Sequence, residues 1–151
     1  MTDELRDLYQ EMLLDHHKHP RNRGNLEGAN HRAEGYNPLC GDKVTVYLLL
    51  RDNVIEKVAF EGTGCAICTA SCSVMTEVLK GKTEAEAEKV FGEFHELVMS
   101  DPDAEVDAAK LGKLAIFAGV REFPMRVKCA TLAWHTMRAA LKTPGGTVTT
   151  E

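Results

Sequence analysis

Residues 37–51 read NPLCGDKVTVYLLLR, a turn followed by a strand, and this stretch decides the fold. Apolar side chains alternate along its second part, where one face is made by Val44, Val46, Leu48 and Leu50. A period of two predicts a β-strand over Asp42–Arg51. Gly41 allows a sharp bend just before it, so Cys40 and Asp42 are expected together at the corner where the strand begins.

Two further extended runs flank this strand, at residues 31–37 and 54–61. They predict a meander of about three antiparallel strands. Apolar residues with helical spacing predict helices over residues 5–15, 65–80, 84–98, 111–120 and 129–141. Pro124 is expected to hold an extended segment just before the last helix, which would then begin at Cys129. The expected fold class is α+β, with a small antiparallel sheet packed against several helices.

The length of 151 residues is typical of one domain, which we place at residues 1–146, with a disordered C-terminal tail at 147–151. The net charge of −5 argues against broad nucleic-acid binding, which needs a basic face. The absence of a long apolar run argues against a membrane partner. The acidic N-terminus does not resemble a secretory signal, so a cytoplasmic location is expected.

Three histidines, His16, His17 and His19, occur within four residues, just before Pro20. Such a cluster invites a metal interpretation. However, Pro20 and Gly24 indicate a loop, and no carboxylate or cysteine follows at ligand spacing. We therefore expect a solvated loop with neutral histidines.

Five cysteines without an export signal favour metal binding or thiol chemistry over disulfides. Three of them, Cys65, Cys68 and Cys72, follow one another on a predicted helix. Along that helix the first and last are separated by roughly 10 Å, at 1.5 Å per residue. Three sulfurs so arranged cannot converge on one ion. We therefore expect one ligand, Cys65, and interpret Cys68 and Cys72 as core residues.

Four side chains form the expected metal site. Cys65 begins a helix, where the unpaired N–H groups favour a thiolate. Cys129 is expected to have the same character, although a core cysteine at the head of the last helix is an alternative. Cys40 lies outside any helical pattern, and Asp42 on its own would be an ordinary turn aspartate. Three thiolates and a carboxylate are a ligand set for zinc or for an iron–sulfur site.

The order of short motifs in this chain resembles the IscU/NifU N-terminal family of iron–sulfur cluster assembly proteins. The motifs are Asn-Pro-Leu-Cys-Gly-Asp at 37–42, Gly-Cys at 64–65 and Lys-Cys-Ala at 128–130, preceded by the histidine-rich segment at 15–22. The resemblance covers almost the whole chain. It implies the α+β fold of that family and a role in cluster assembly.

Three departures from the IscU branch make the chain similar to SufU-type members. Residues 123–127 read FPMRV where IscU has a chaperone-recognition motif, and Lys128 stands where IscU has a histidine. The 63 residues between Cys65 and Cys129 are also a longer spacer. This resemblance implies a zinc site, docking to a SufS-type cysteine desulfurase, acceptance of persulfide sulfur and delivery to a downstream Suf cluster-assembly scaffold.

The expected mechanism is sulfurtransferase-like, with Cys40 as the residue that accepts sulfur, because its turn should be exposed. Zinc would hold the site's geometry and keep the thiols deprotonated. Two roles are open for Arg126. It would stabilise an anionic persulfide, or it is an ordinary surface arginine. One alternative function is a scaffold on which iron or a transient 2Fe–2S cluster binds the same residues. Another is a small zinc-binding structural or interaction module.

Overall fold

The computed structural model describes residues 2–142 and 145–149. Five α-helices and four strands follow one another within these described residues. The helices are α1 Asp3–Lys18, α2 Ala66–Leu79, α3 Glu84–Met99, α4 Ala108–Leu111 and α5 Pro124–Lys142, with a 3-10 helix at Gly112–Glu122. The strands are β1 His31–Asn37, β2 Asp42–Arg51, β3 Val54–Thr63 and β4 Thr147–Thr149. The α+β class is confirmed, although the helix expected at 111–120 is mostly of the 3-10 type.

The sheet contains the expected antiparallel meander and one strand more. Its order is β3-β2-β1-β4, and β4 runs parallel to β1. The sequence predicted a disordered tail from residue 147, whereas Thr147–Thr149 pair with the free edge of β1. The N–H of Gly145 donates to the Arg32 carbonyl at 2.6 Å, which brings the chain back to that edge. Residues 150 and 151 of the predicted tail lie outside the described residues.

Helix α5 lies at the centre of the fold, where it packs against β1, β2 and α2. An aromatic cluster joins α5 to α3 and the 3-10 helix, with the Phe94 ring stacked on Trp134 and set edge-on to Phe117. Cys68 and Cys72 are both buried, which confirms their interpretation as core residues. Within residues 2–142 and 145–149, no helix is both long and apolar enough to cross a membrane.

The start of α5 differs from the sequence prediction. The helix begins at Pro124 rather than at Cys129, so no extended segment lies between them. Proline suits the first helical position, because its φ is already helical and its missing N–H would have no partner there. Cys129 therefore lies in the second turn of α5, with a buried side chain.

The histidine-rich segment is also different from the prediction. Helix α1 continues to Lys18, so His16 and His17 are helical, and His16 is buried rather than solvated. The Nδ1 atom of His16 lies 2.7 Å from the Ser73 hydroxyl on α2, and its Nε2 lies 3.7 Å from a Glu77 oxygen. Ser73 has no solvent contact, so this arrangement fastens α1 to α2 and offers no surface for a substrate.

Burial of His16 makes the fold sensitive to acid. Desolvation, helped by the nearby Arg21 and Lys113 and opposed by Glu77 and Asp15, lowers the pKa of His16. The unfolded chain then binds this proton at a higher pH than the folded chain does. The stability contributed by neutral His16 is thus full above about pH 6.5 and is lost as the pH falls below it.

We expect His16→Asn to flatten the dependence of the melting temperature on pH between about 7 and 5. Asparagine offers a polar atom near the Nδ1 position without titrating. The flattening should be partial, because burial also lowers the pKa of His135. Exposed His17 provides the matched control, and His17→Asn should retain the wild-type slope. Equal slopes for wild type and His16→Asn, measured by thermal melts, would contradict the role of His16.

The close contact between β1 and α5 requires glycine at position 35. A Cβ atom placed there would collide with the Thr136 hydroxyl and lie 3.1 Å from a Leu132 methyl. We expect Gly35→Ala to lower the free energy of unfolding by about 1–3 kcal/mol through overpacking. Gly92→Ala on α3 is the control, since nothing lies within 4 Å of its new Cβ. That control should stabilise the protein by up to about 1 kcal/mol in chemical denaturation.

Candidate metal centre

The centre begins at the turn between β1 and β2. These strands pair as far as Asn37 and Asp42, which leaves residues 38–41 as the turn. Gly41 has a φ of 70°, a conformation that glycine adopts without strain. Cys40 is exposed on this turn, whereas Asp42 is buried at the start of β2. The corner thus presents one accessible sulfur next to one buried carboxylate. The sequence predicted this pair at the corner but not the burial of Asp42.

Helix α5 brings a second sulfur to this corner. The Cys129 thiol lies 3.3 Å from the Cys40 sulfur, across 89 residues of chain. One ligand atom each from Cys40, Asp42 and Cys129 lie within 4.8 Å of one another. In residues 2–142 and 145–149 this is the one group of three or more such side chains close enough to hold a metal ion.

Asp42 connects the corner to the start of α2. Its Oδ1 atom accepts a hydrogen bond of 2.9 Å from the backbone N–H of Cys65. Its Oδ2 atom accepts a longer bond, 3.5 Å, from the Asn37 side-chain amide. Only 2% of Asp42 is exposed, so its carboxylate is held in one position by neighbours from two different elements.

Cys65 is the expected ligand that stands apart from the other three. It is the N-cap of α2, and its sulfur accepts from the Cys68 N–H at 3.4 Å. The structure therefore places Cys65 beside the group and in contact with Asp42 through its backbone. Its sulfur is nevertheless outside the set of ligand atoms within 4.8 Å of one another.

The buried thiol of Cys129 is electrostatically suited to a cation. Burial, together with the side chains of Cys40, Asp42 and Cys65, raises the pKa of the Cys129 thiol. All three neighbours penalise a negative charge on this sulfur. A bound cation would reverse that effect, because coordination deprotonates a thiol outright.

The donor set fits zinc. Two zinc ligands in a tetrahedral site lie about 3.8 Å apart, from a Zn–S distance of about 2.3 Å. The Cys40 and Cys129 sulfurs lie 3.3 Å apart, and the ligand atoms of Cys40, Asp42 and Cys129 all lie within 4.8 Å of one another, which is close enough for one ion. The Oδ1 atom of Asn37 is buried beneath the group without a hydrogen-bond partner. These polar groups gathered at a buried corner are typical of a metal centre.

Comparison with known proteins decides the family. Residues 8–142 match the model of the NifU-like N terminal domain family. This protein is a member of that family. A Streptococcus pyogenes serotype M1 protein named iron-sulfur cluster assembly scaffold protein IscU is 37% identical over 139 residues, covering 92% of this chain and 86% of that one.

Two kinds of relative with similar sequence identity to this chain occur within the NifU-like family. The Bacillus subtilis strain 168 protein named zinc-dependent sulfurtransferase SufU is 36% identical over 146 residues, with 94% of this chain and 95% of that protein covered. The names of these relatives thus describe both a scaffold and a sulfurtransferase. Both resemblances drawn from the sequence, to the family and to its SufU-type members, are confirmed as similarities.

Solved structures confirm the NifU-like fold. The structure described as a putative iron-sulfur cluster assembly scaffold protein for the SUF system, from Fervidobacterium islandicum AW-1, has a TM-score of 0.81 and 38% identity. The matched region covers 93% of this chain and 100% of the chain in that structure. A NifU-like N-terminal protein from Brucella abortus has a TM-score of 0.79 at 25% identity, over 91% and 94% of the two chains.

Asn37 contributes to the centre in a way that the sequence did not predict. Asn37 lies at the end of β1, has no solvent contact, and donates from its amide toward both Asp42 and the Cys129 sulfur, each at 3.5 Å. Its one signal in the sequence is its place in the motif at 37–42. Arg126, the suggested persulfide contact, is exposed, and its guanidinium lies 4.6 Å from the Phe123 ring.

Proposed function

We propose that this protein acts in iron–sulfur cluster assembly as a zinc-dependent acceptor and carrier of persulfide sulfur. The donor would be a SufS-type cysteine desulfurase, and the recipient a downstream Suf cluster-assembly scaffold. The observation that carries the proposal is the meeting of exposed Cys40 with buried Asp42 and Cys129. The name and coverage of the Bacillus subtilis relative support it.

Cys40 is the residue suited to receive sulfur. Its neighbours Pro38 and Leu39 are exposed as well, so a partner's persulfide can approach the turn. The Cys40 thiolate attacks the outer sulfur of the desulfurase persulfide and forms a new sulfur–sulfur bond. The original sulfur–sulfur bond breaks, and the desulfurase cysteine leaves as a thiolate. Cys40 then carries the transferred sulfur as its own persulfide.

Cys40, Asp42, Cys65 and Cys129 are the residues that would hold zinc. Bound zinc would keep these sulfurs anionic and protect them from oxidation. The chain's own part is positional. Asp42 fixes the Cys65 backbone, and Asn37 donates toward both Asp42 and Cys129. These contacts keep the turn that carries Cys40 against the buried part of the centre.

A scaffold function is the second candidate, and the name of the Streptococcus pyogenes relative favours it. In that case a 2Fe–2S cluster, as cargo, would be built on the same three sulfurs and carboxylate. The two functions use the same ligand residues. They differ in whether those residues hold zinc or a 2Fe–2S cluster.

Metal analysis combined with a sulfur-transfer assay separates the candidates. The protein is expressed without added metal, purified without oxygen and analysed for zinc, iron and sulfide. We expect about one zinc per chain, a colourless protein, and faster sulfide release by a SufS-type desulfurase when the protein is added. A coloured protein with iron and sulfide would favour the scaffold. Zinc without any effect on the desulfurase would instead indicate a structural module.

A further inference from the structure

The start of α2 carries two cysteines in a Cys-x-x-Cys arrangement, Cys65 and Cys68. Cys65 caps the helix and is half-buried, and its sulfur accepts a hydrogen bond from the backbone N–H of Cys68. This contact orients the Cys65 sulfur toward the first turn of the helix. Small molecules in solvent can still reach it, because Gly64 and Ala66 on either side are exposed.

The second thiol of this pair lies at the same end of the helix. Cys68 is 1% exposed. A Cβ atom on Gly64 would lie 3.0 Å from both the Cys68 sulfur and the Asp42 Oδ1 atom. The Cys68 sulfur thus packs under the residue that precedes Cys65, next to the proposed ligand Asp42. Its burial keeps it from reacting with solvent by itself.

Cys72 is the remaining cysteine of the helix and does not share this position. It lies seven residues beyond Cys65, roughly 10 Å farther along the axis. The Cys68 thiol contacts Cys72, and this contact and burial raise the pKa of Cys68. Two cysteines with two residues between them, the first of them at the N-cap of a helix, are the arrangement of redox-active dithiols. The pair formed by Cys65 and Cys68 is therefore the one suited to close.

We propose that Cys65 and Cys68 form a reversible disulfide on reaction with a hydroperoxide, and that this disulfide withdraws Cys65 from metal binding. The disulfide itself depends only on the start of α2. Its effect on the metal rests on the proposed function, in which Cys65 is a ligand. The pair would make metal retention responsive to oxidants.

The reaction proceeds in two balanced steps. The Cys65 thiolate attacks one oxygen of the hydroperoxide, the oxygen–oxygen bond breaks, and Cys65 becomes a sulfenic acid while the leaving oxygen takes a proton. The Cys68 sulfur then attacks the Cys65 sulfur and displaces hydroxide, which leaves as water with the Cys68 proton. Two thiols are oxidised, one hydroperoxide is reduced, and an added dithiol such as dithiothreitol reverses the change.

The disulfide is tested on the metal-free protein. Wild type, Cys68→Ser and Cys72→Ser are treated with equimolar hydrogen peroxide, alkylated and digested with trypsin. All three helix cysteines fall in the peptide of residues 58–80, while Cys40 and Cys129 fall in peptides 33–43 and 129–138. We expect wild type and Cys72→Ser to lose two alkylation sites within peptide 58–80 and to regain them with dithiothreitol. Cys68→Ser should form no disulfide within that peptide.

Two outcomes would overturn the disulfide. In the first, peroxide blocks two cysteines of peptide 58–80 in wild type but blocks none in Cys72→Ser. That result would assign the bond to Cys68 and Cys72. The other is a cross-link between peptides 33–43 and 129–138 with peptide 58–80 fully alkylated. That result would assign oxidation to Cys40 and Cys129, whose sulfurs lie 3.3 Å apart.

Zinc titration tests the effect on the metal. Loss of an outer partner of a metal ligand already weakens binding by about 10–100-fold, so loss of Cys65 itself should weaken zinc binding by at least about 100-fold. We expect this difference between the oxidised and reduced forms of Cys72→Ser. Equal affinity of the two forms would overturn the withdrawal of Cys65. Failure of the reduced protein to bind zinc would contradict the proposed function instead, while the alkylation result would stand.

Discussion

Replacement of Cys40 with alanine is expected to reduce desulfurase-dependent sulfide release to the rate of the desulfurase alone. Cys40 is the exposed sulfur of the centre, and transfer requires a nucleophile that a partner's persulfide can reach. Cys129 cannot substitute for it, because that thiol is buried within α5. Sulfide production from cysteine, with and without the variant, gives the measurement.

The matched controls for Cys40→Ala are the two core cysteines. Cys72→Ala removes a wholly buried thiol far along α2, and Cys68→Ala removes one that is 1% exposed. Both should keep most of the wild-type stimulation in the presence of reductant, after a modest loss of stability. Loss of stimulation in Cys72→Ala with intact fold and zinc content would show that activity depends on more than the exposed sulfur.

Replacement of Asp42 with alanine should have the second-largest effect, and it should act in two ways. Zinc binding should weaken by at least about 100-fold, since even outer partners of a metal ligand contribute about 10–100-fold. The N–H of Cys65 also loses its acceptor. An unsatisfied polar group at such a site costs about 1–3 kcal/mol of folding free energy. Competition with a chelator measures the first effect, and chemical denaturation measures the second.

Asp42→Asn separates the two effects of Asp42→Ala. Asparagine keeps an oxygen that can accept from the Cys65 N–H, but it lacks the negative charge of a zinc ligand. We expect it to retain most of the metal-free stability while it loses zinc affinity as alanine does. Wild-type zinc affinity in Asp42→Asn would mean that this carboxylate only positions Cys65.

The parts of this structure that the sequence predicted are those determined locally. Alternation along β2 and the bend at Gly41 were sufficient to predict the corner where Cys40 and Asp42 meet. The burial of Cys68 and Cys72 followed in the same way from helical spacing. In each case the signal lies within a few neighbouring residues.

The parts that the sequence did not predict depend on distant contacts. His16 is buried against α2, where its Nδ1 atom pairs with the hydroxyl of Ser73, 57 residues away. Three residues are too few to form a strand alone. Thr147–Thr149 form one because they pair with the edge of β1. Pro124 is compatible with an extended segment and with a helix start, and packing of α5 on the sheet decides between them.

Sulfur from the desulfurase is expected to be received at Cys40. The most direct test is a single turnover with persulfide-loaded SufS-type desulfurase, followed by trapping of persulfides with an alkylating reagent and mass spectrometry of the tryptic peptides. We expect the added mass of one sulfur atom on peptide 33–43, which contains Cys40, and none on peptide 58–80. Added sulfur on peptide 58–80 with peptide 33–43 unmodified would contradict it.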